Sequence, residues 1–329
     1  MSLLSSFVFA IGLCLVTSFS TYAGAAVVSN EDREQAIRNG RVWVQPTWMK
    51  ENATGKDFLF DSEFQMSQGP ALEKRDEVFA QPEVDCLMTE DSAKKSSGGQ
   101  TLKFYCELQN LKKVTKPKHD LVKIKYNFSD GEISGELLGT RLFWALGFYA
   151  DRVYLLDHVN CFGCTGDPFR DKRLDPTTLK SPRVFKQTSV ERKLEGKEIE
   201  FISESGEKSQ GFNFEELMNF VPEDSAAKLK EQTHREALRL LAVFIRHSDN
   251  KADNQAVTCL GSKKSKQACD GEVALMIHDL GLTFGGGFRE GENGEWIASK
   301  SNYIDWNKEK VWDDAKSCRA YLGLSPDGS

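Results

Sequence analysis

His247-Ser-Asp249-Asn-Lys251-Ala-Asp253-Asn254 is the stretch on which the reading of this chain turns. It follows a helical pattern over 226–246, where Leu238, Leu241, Ala242 and Ile245 share one face. Downstream come a strand-like run at 256–260, a polar tip bounded by Cys259 and Cys269, an apolar strand at 273–277, and then Asp279-Leu280-Gly281. An Asp and an Asn five residues apart in a loop behind a helix, with a second Asp where a strand ends, form the set that phosphoryl transfer from ATP requires. Asp249 is placed to orient or deprotonate a hydroxyl. Asn254 and Asp279 are placed to hold the divalent cations, Mg or Mn, that neutralise the β and γ phosphates.

Rival readings of the same residues fit less well. Asp249, Lys251 and Asp253 match alternate positions of a calcium loop, but Lys251 is a cation and Asn254 stands where that loop needs glycine. His278-Asp279 follows an apolar strand, whereas HD metal sites belong to all-helical folds, so His278 reads as a packed, hydrogen-bonded residue. Upstream, two strands at 84–88 and 102–108 flank the turn Ser96-Ser97-Gly98-Gly99, and a third at 120–126 alternates cleanly through Lys123 and Lys125. A turn at Ser129-Asp130-Gly131 leads to a helix over 134–146 with Leu137, Leu138, Leu142, Phe143 and Leu146 on one face, and Gly147 closes it. Glu136 is the one acidic residue within those bounds, and a further strand is expected at 152–159.

In this order the chain resembles the protein-kinase-like superfamily over about 84–287: hairpin, lysine strand, glutamate helix, long helix, catalytic loop, metal aspartate. His247, Asp249, Lys251, Asn254 and Asp279 fall on its signature positions, and Val122-Lys123-Ile124-Lys125 is similar to its Val-Ala-Ile-Lys strand. The resemblance implies an α+β, two-lobed, disulfide-containing fold with an N-lobe over about 84–160 and a C-lobe over about 211–329. It implies that Lys125 orders the α and β phosphates, Glu136 orients Lys125, Asp249 acts as base and Lys251 steadies the γ phosphate. Lys123 takes the place of the Ala, and Gly98 and Gly99, with Lys103, stand where a phosphate cover is needed, since no GxGxxG is present.

Other departures shape the expectation. Ser248 replaces Arg, Leu280 replaces Phe, and the Cys-bounded hairpin lengthens the path from Asn254 to Asp279. No Ala-Pro-Glu follows, and 329 minus 279 leaves 50 residues, so the C-terminal lobe is expected to be reduced. A lipid-kinase register, suggested by Arg246-His247 and Asn250, would need an Asp where Ile245 stands. Three functions remain open: an ATP-dependent phosphotransferase acting on a protein or small molecule, a catalytically inactive kinase-like binding or scaffold protein, and a nucleotidyl transferase.

The 329 residues carry 43 Lys+Arg and 49 Asp+Glu, a net charge of -6, which gives no electrostatic reason to expect nucleic acid as a partner. Residues 1–30 contain no Asp, Glu, Lys or Arg; the apolar run at 3–16 and the small residues near Ala23 read as a signal peptide over 1–26. Export to a secreted or periplasmic location follows, without stable membrane insertion after cleavage. An uncleaved anchor is the alternative, and the run is shorter than the roughly 20 residues a span needs. Residues 27–83 are polar, without sustained period, and read as an N-terminal extension. Apart from Cys14 in the leader, seven cysteines remain. Cys259 should pair with Cys269 and Cys86 with Cys106, while Cys161-Phe-Gly-Cys164 reads as a tight turn or disulfide because no second zinc pair accompanies it.

Overall fold

Apolar residues alternating along short strands curl the middle of the chain into a closed barrel. The computed structural model describes residues 30–46, 49–51, 58–60, 82–95, 101–109, 121–126, 131–199, 201–202, 208–209, 211–247, 249–260, 269, 271–284, 287–290, 296–299, 312–317 and 319–320. After α1 (Asn30–Asn39) and the hairpin β1 (Met49–Glu51) and β2 (Phe58–Phe60) come β3 (Glu83–Leu87), α2 (Glu90–Lys94), β4 (Lys103–Leu108) and β5 (Leu121–Lys125). They are followed by α3 (Gly131–Leu146), β6 (Arg152–Phe162) and β7 (Arg183–Arg192). The barrel order is β3-β4-β5-β7-β6, and the parallel pairing of β3 with β6 closes it. Cys86, Phe104, Cys106, Val122, Ile124, Tyr154, Leu156 and Val190 fill its interior.

Disulfides brace this barrel. Cys86 is bonded to Cys106 across β3 and β4, and Cys161 to Cys164 at the end of β6, while Cys259 is bonded to Cys269 elsewhere in the chain. The CxxC unit is thus a turn, made possible by Gly163 at a φ of 81°, where a Cβ would lie 3.0 Å from the Met88 carbonyl oxygen. Three disulfides are compatible with an extracellular protein. Among the described residues no helix is long and apolar enough to cross a membrane. The signal peptide expected over 1–26, Gly98, Gly99 and Cys318 lie outside the described residues.

A second core lies beyond the barrel. The chain continues through β8 (Lys197–Glu198), β9 (Phe201–Ile202), β10 (Lys208–Ser209), α4 (Phe214–Asn219), α5 (Ser225–Phe244), β11 (Gln255–Leu260) and β12 (Glu272–Ile277). The short pairs β13 (Gly287–Glu290) with β14 (Trp296–Ser299), and β15 (Trp312–Asp314) with β16 (Arg319–Ala320), follow. β12, β11 and β8 form one antiparallel sheet. Phe143 of α3, Leu238 and Leu241 of α5, Val257, Leu275 and Ile277 of that sheet, and Ile37 of α1 pack together.

The segment after the leader is therefore more structured than its polarity suggests. In α1 the only apolar residues are Ala36 and Ile37, so no period marks it. Polar contacts hold it instead: Arg33 Nη2 donates to Glu216 Oε2 at 2.8 Å and Arg38 Nη1 to the Val221 carbonyl at 2.9 Å. The barrel also runs past residue 160, because β7 completes it as far as Arg192.

Arg235, on α5 and 0% exposed, joins these pieces. Its guanidinium donates to the carbonyls of Leu217 and Phe220 at 2.9 and 2.6 Å and of Ile37 and Gly40 at 2.8 and 2.9 Å. These carbonyls belong to helix and turn ends, which draw donors from outside their own ladder. Replacing Arg235 with Met should destabilise the protein by about 3 kcal/mol or more, because several buried acceptors lose their donor at once. Arg235→Lys should recover little of that, since an ammonium lacks the planar fork. Urea unfolding of the two variants measures both effects.

Candidate functional site

Alternation along β5 sends Val122 and Ile124 into the barrel and Lys123 and Lys125 to the opposite face. Lys125 Nζ lies 2.8 Å from Glu136 Oε1 and 3.1 Å from Glu132 Oε1, both on α3. Lys125 and Glu136 are each 1% exposed. Burial acts to neutralise Lys125, but Glu136, Asp279 and Glu132 outweigh it and hold the ammonium charged well above the ordinary lysine range. Burial also pushes the Glu136 carboxyl up, against the pull of Lys125. Glu136 Oε2 is buried with no hydrogen-bond partner among the described residues. Lys123 is ion-paired with Glu191, its cross-strand neighbour on β7.

The loop after α5 is set by a left-handed residue, Arg246 at a φ of 53°. His247 then donates its N–H to the Ala242 carbonyl at 2.8 Å. Asn250 Nδ2 donates to the His247 carbonyl at 2.8 Å, and Asn254 Nδ2 to the Asp249 carbonyl at 3.1 Å. The Asn254 main-chain carbonyl accepts the N–H groups of His278 and Asp279 at 2.8 and 3.4 Å, which joins the loop to the end of β12. Lys251 Nζ is 3.2 Å from Asp249 Oδ1. These bonds use the Asn254 amide nitrogen and leave its Oδ1 available as an oxygen donor.

Asp279 Oδ1 accepts the Gly281 N–H at 2.9 Å. Burial would raise this carboxyl, but Lys125, the Gly281 N–H, Lys123 and Lys103 together hold it well below the carboxylate range. At Gly281 a Cβ would lie 2.4 Å from Glu132 Cγ and 3.1 Å from Asp279 Oδ1, so only glycine lets the two carboxylates converge there. Leu280 is buried against α3, and Thr283 Oγ1 donates to the Gly135 carbonyl at 3.1 Å. An ionised Asp279 and an amide oxygen suit a hard cation, which takes one or two carboxylates and completes its shell with phosphate and water. Among the described residues no group of three His, Cys, Asp or Glu could hold a metal alone, so phosphate and water oxygens would be required.

The two histidines differ in role. Burial pushes His247 down to about 4, against the charges of Asp279 and Asp249, so its ring is neutral near pH 7. Neither ring nitrogen has a partner among the described residues, which makes it a packing residue between the two aspartates. His278 Nδ1 lies 2.7 Å from Asp151 Oδ2 and Nε2 lies 3.4 Å from Glu198 Oε1. Burial opposes its charge, yet Asp151 and Glu198 raise it to about 9. That cation ties the end of β12 to the start of β6 and to β8, as expected of a packed, hydrogen-bonded residue.

Sequence reasoning missed Glu132 and Glu191. Glu132 escaped because the helix was expected from Ser134, whereas α3 starts at Gly131. Glu191 sits on β7, whose buried half reads Thr188, Ser189, Val190, Glu191, Arg192 and shows no apolar alternation.

No known protein family matches the chain, and no curated protein does. Among solved structures, the crystal structure of a Helicobacter pylori proinflammatory kinase, CtkA, matches at 12% identity over 68% of this chain and 76% of that one, with a TM-score of 0.30. A likeness so slight carries no argument. The chain itself is a mixed α/β protein, with three disulfides among the described residues.

The buried pair generates a stability prediction. Lys125→Met should cost about 3–5 kcal/mol, since it leaves buried carboxylates without their cation, and Glu136→Gln should cost less, because Glu132 still pairs with Lys125. The double variant should cost clearly less than the two losses added. Denaturant unfolding of the four proteins gives the coupling; simple additivity would mean that the pair does not act as a unit.

Proposed function

We propose that this chain is an exported kinase-like phosphotransferase that moves the γ-phosphoryl group of ATP to an acceptor hydroxyl. One observation carries the reading: Lys125 on the third barrel strand is ion-paired with Glu136 of the next helix while its charge also acts on Asp279. Protein kinases place a lysine on the third strand, a glutamate on the following helix and a metal-binding Asp in this same order. The reading takes the barrel with α3 as the N-lobe and the second core as a C-lobe reduced after Asp279. The uncharged leader and the disulfides support export.

Each side chain then has a task. Lys125 would bind the α and β phosphates, held in place by Glu136. Asn254 and Asp279 would hold Mg or Mn, which neutralises charge on the β and γ phosphates. Asp249 would take the proton of the acceptor hydroxyl as its oxygen bonds to the γ phosphorus and the bond to ADP breaks. Lys251, paired with Asp249, would steady the γ phosphate as it transfers. A non-catalytic binding module is the second reading, and one observation favours it: Glu132 covers Lys125, and the Thr101 hydroxyl bonds to Glu132.

Thermal unfolding with ATP and Mg or Mn tests the reading, because a ligand that binds only the folded state stabilises it. The wild type should be stabilised when nucleotide and metal are present together, and Asp279→Asn should lose most of that gain. Asp249→Asn should keep it, while losing on the order of 100-fold or more in γ-phosphoryl transfer, followed as self-phosphorylation or ATP hydrolysis. Normal turnover in Asp249→Asn would refute the base assignment. Absence of nucleotide binding in the wild type with either metal would leave the binding-module reading.

A further inference from the structure

Lys103 opens β4 and stands directly opposite Lys125 in the β4–β5 register. Residues so paired have Cβ atoms roughly 5 Å apart, and like charges there are destabilising. Lys103 is 8% exposed. Its two lysine neighbours are compensated, Lys125 by Glu136 and Glu132 and Lys123 by Glu191. The Lys103 side chain makes no hydrogen bond or ion pair with any described residue.

Burial, followed by Lys125 and Lys123, lowers its proton affinity, and Glu132 and Asp279 only partly offset this. The folded protein thus keeps a buried cation at a net electrostatic cost, on the side of the lysine cluster that feels Asp279. An apolar residue would pack there without that cost.

We infer that Lys103 is a second polyphosphate-binding lysine, which together with Lys125 clamps the phosphate chain of the nucleotide. The inference rests on the phosphotransferase reading for the identity of the ligand, whereas the chemistry of the subsite requires only a multiply charged phosphate. A single ammonium suits this role, because phosphate binding by lysine is that of a point charge. An anion between Lys103 and Lys125 would satisfy the first and relieve the repulsion between them.

The test uses the full chain with Mg, comparing wild type, Lys103→Met and Lys103→Arg. Inorganic tripolyphosphate and ATP are the probes, and binding is read by calorimetry and unliganded stability by thermal melting. Lys103→Met should bind both probes at least about tenfold more weakly, the worth of one charge-assisted hydrogen bond. Unliganded, it should melt no lower than wild type, since a strained cation has been removed, and Lys103→Arg should recover most of the binding. Unchanged affinity in Lys103→Met overturns the inference. So does a lower unliganded melting temperature, which would mark Lys103 as a structural residue. Binding of tripolyphosphate that depends on Lys103, without binding of ATP, would uphold the subsite and refute the nucleotide reading. If wild type binds neither probe, both fall.

Discussion

An ammonium sealed from water can stay charged only if anions surround it, and Lys125 is such an ammonium. Glu136 and Glu132 reach it from α3, while Asp279 acts on it from the segment after β12. The lysine belongs to the barrel and Asp279 to the second core, so one charge couples two parts of the chain that have separate apolar interiors. Apolar burial could have joined them with more stability and less directionality. The choice of ions fixes where α3 lies on the barrel and how close the Asp279 backbone comes to it, and Gly281 is the glycine that this closeness demands.

The same principle runs through the rest of the chain. Arg235 gathers carbonyls from α1 and α4, and His278 gathers carboxylates from the start of β6 and from β8. In each case a cation satisfies acceptors that converge from segments distant in sequence. Such a clamp specifies position more sharply than a hydrophobic contact, which tolerates sliding.

That habit explains what the sequence could reveal. β3, β4, β5, α3, α5, β11 and β12 were legible because their apolar residues keep the period of a strand or helix. β7 was not, since Thr188, Ser189, Glu191 and Arg192 are buried polar residues and Gln187, at a φ of 51°, interrupts the regular alternation within the strand. α1 was hidden for the same reason, as its anchors are Arg33 and Arg38. The pairing of Lys125 with Glu136 was readable from order along the chain. Glu132 lay two residues before the expected helix start at Ser134, and Glu191 lay on a strand without a pattern. Ions that face other ions leave no periodic trace in one dimension.

Unsatisfied polar atoms give the last step. Buried native groups nearly all have partners, and each exception costs about 1–3 kcal/mol. Yet Glu136 Oε2 and both nitrogens of His247 lack partners among the described residues. The charge of Asp279 acts on Glu136 and His247 alike. Glu136 is nevertheless held by its ion pair with Lys125, so its loss would cost stability despite the unpaired oxygen, whereas His247 has no such compensation on its ring. Such atoms are not confined to these two residues: Thr188 Oγ1 and Ser189 Oγ on β7 and Gln255 Oε1 on β11 also lack partners among the described residues, so incomplete polar pairing recurs wherever ions and hydroxyls replace apolar packing.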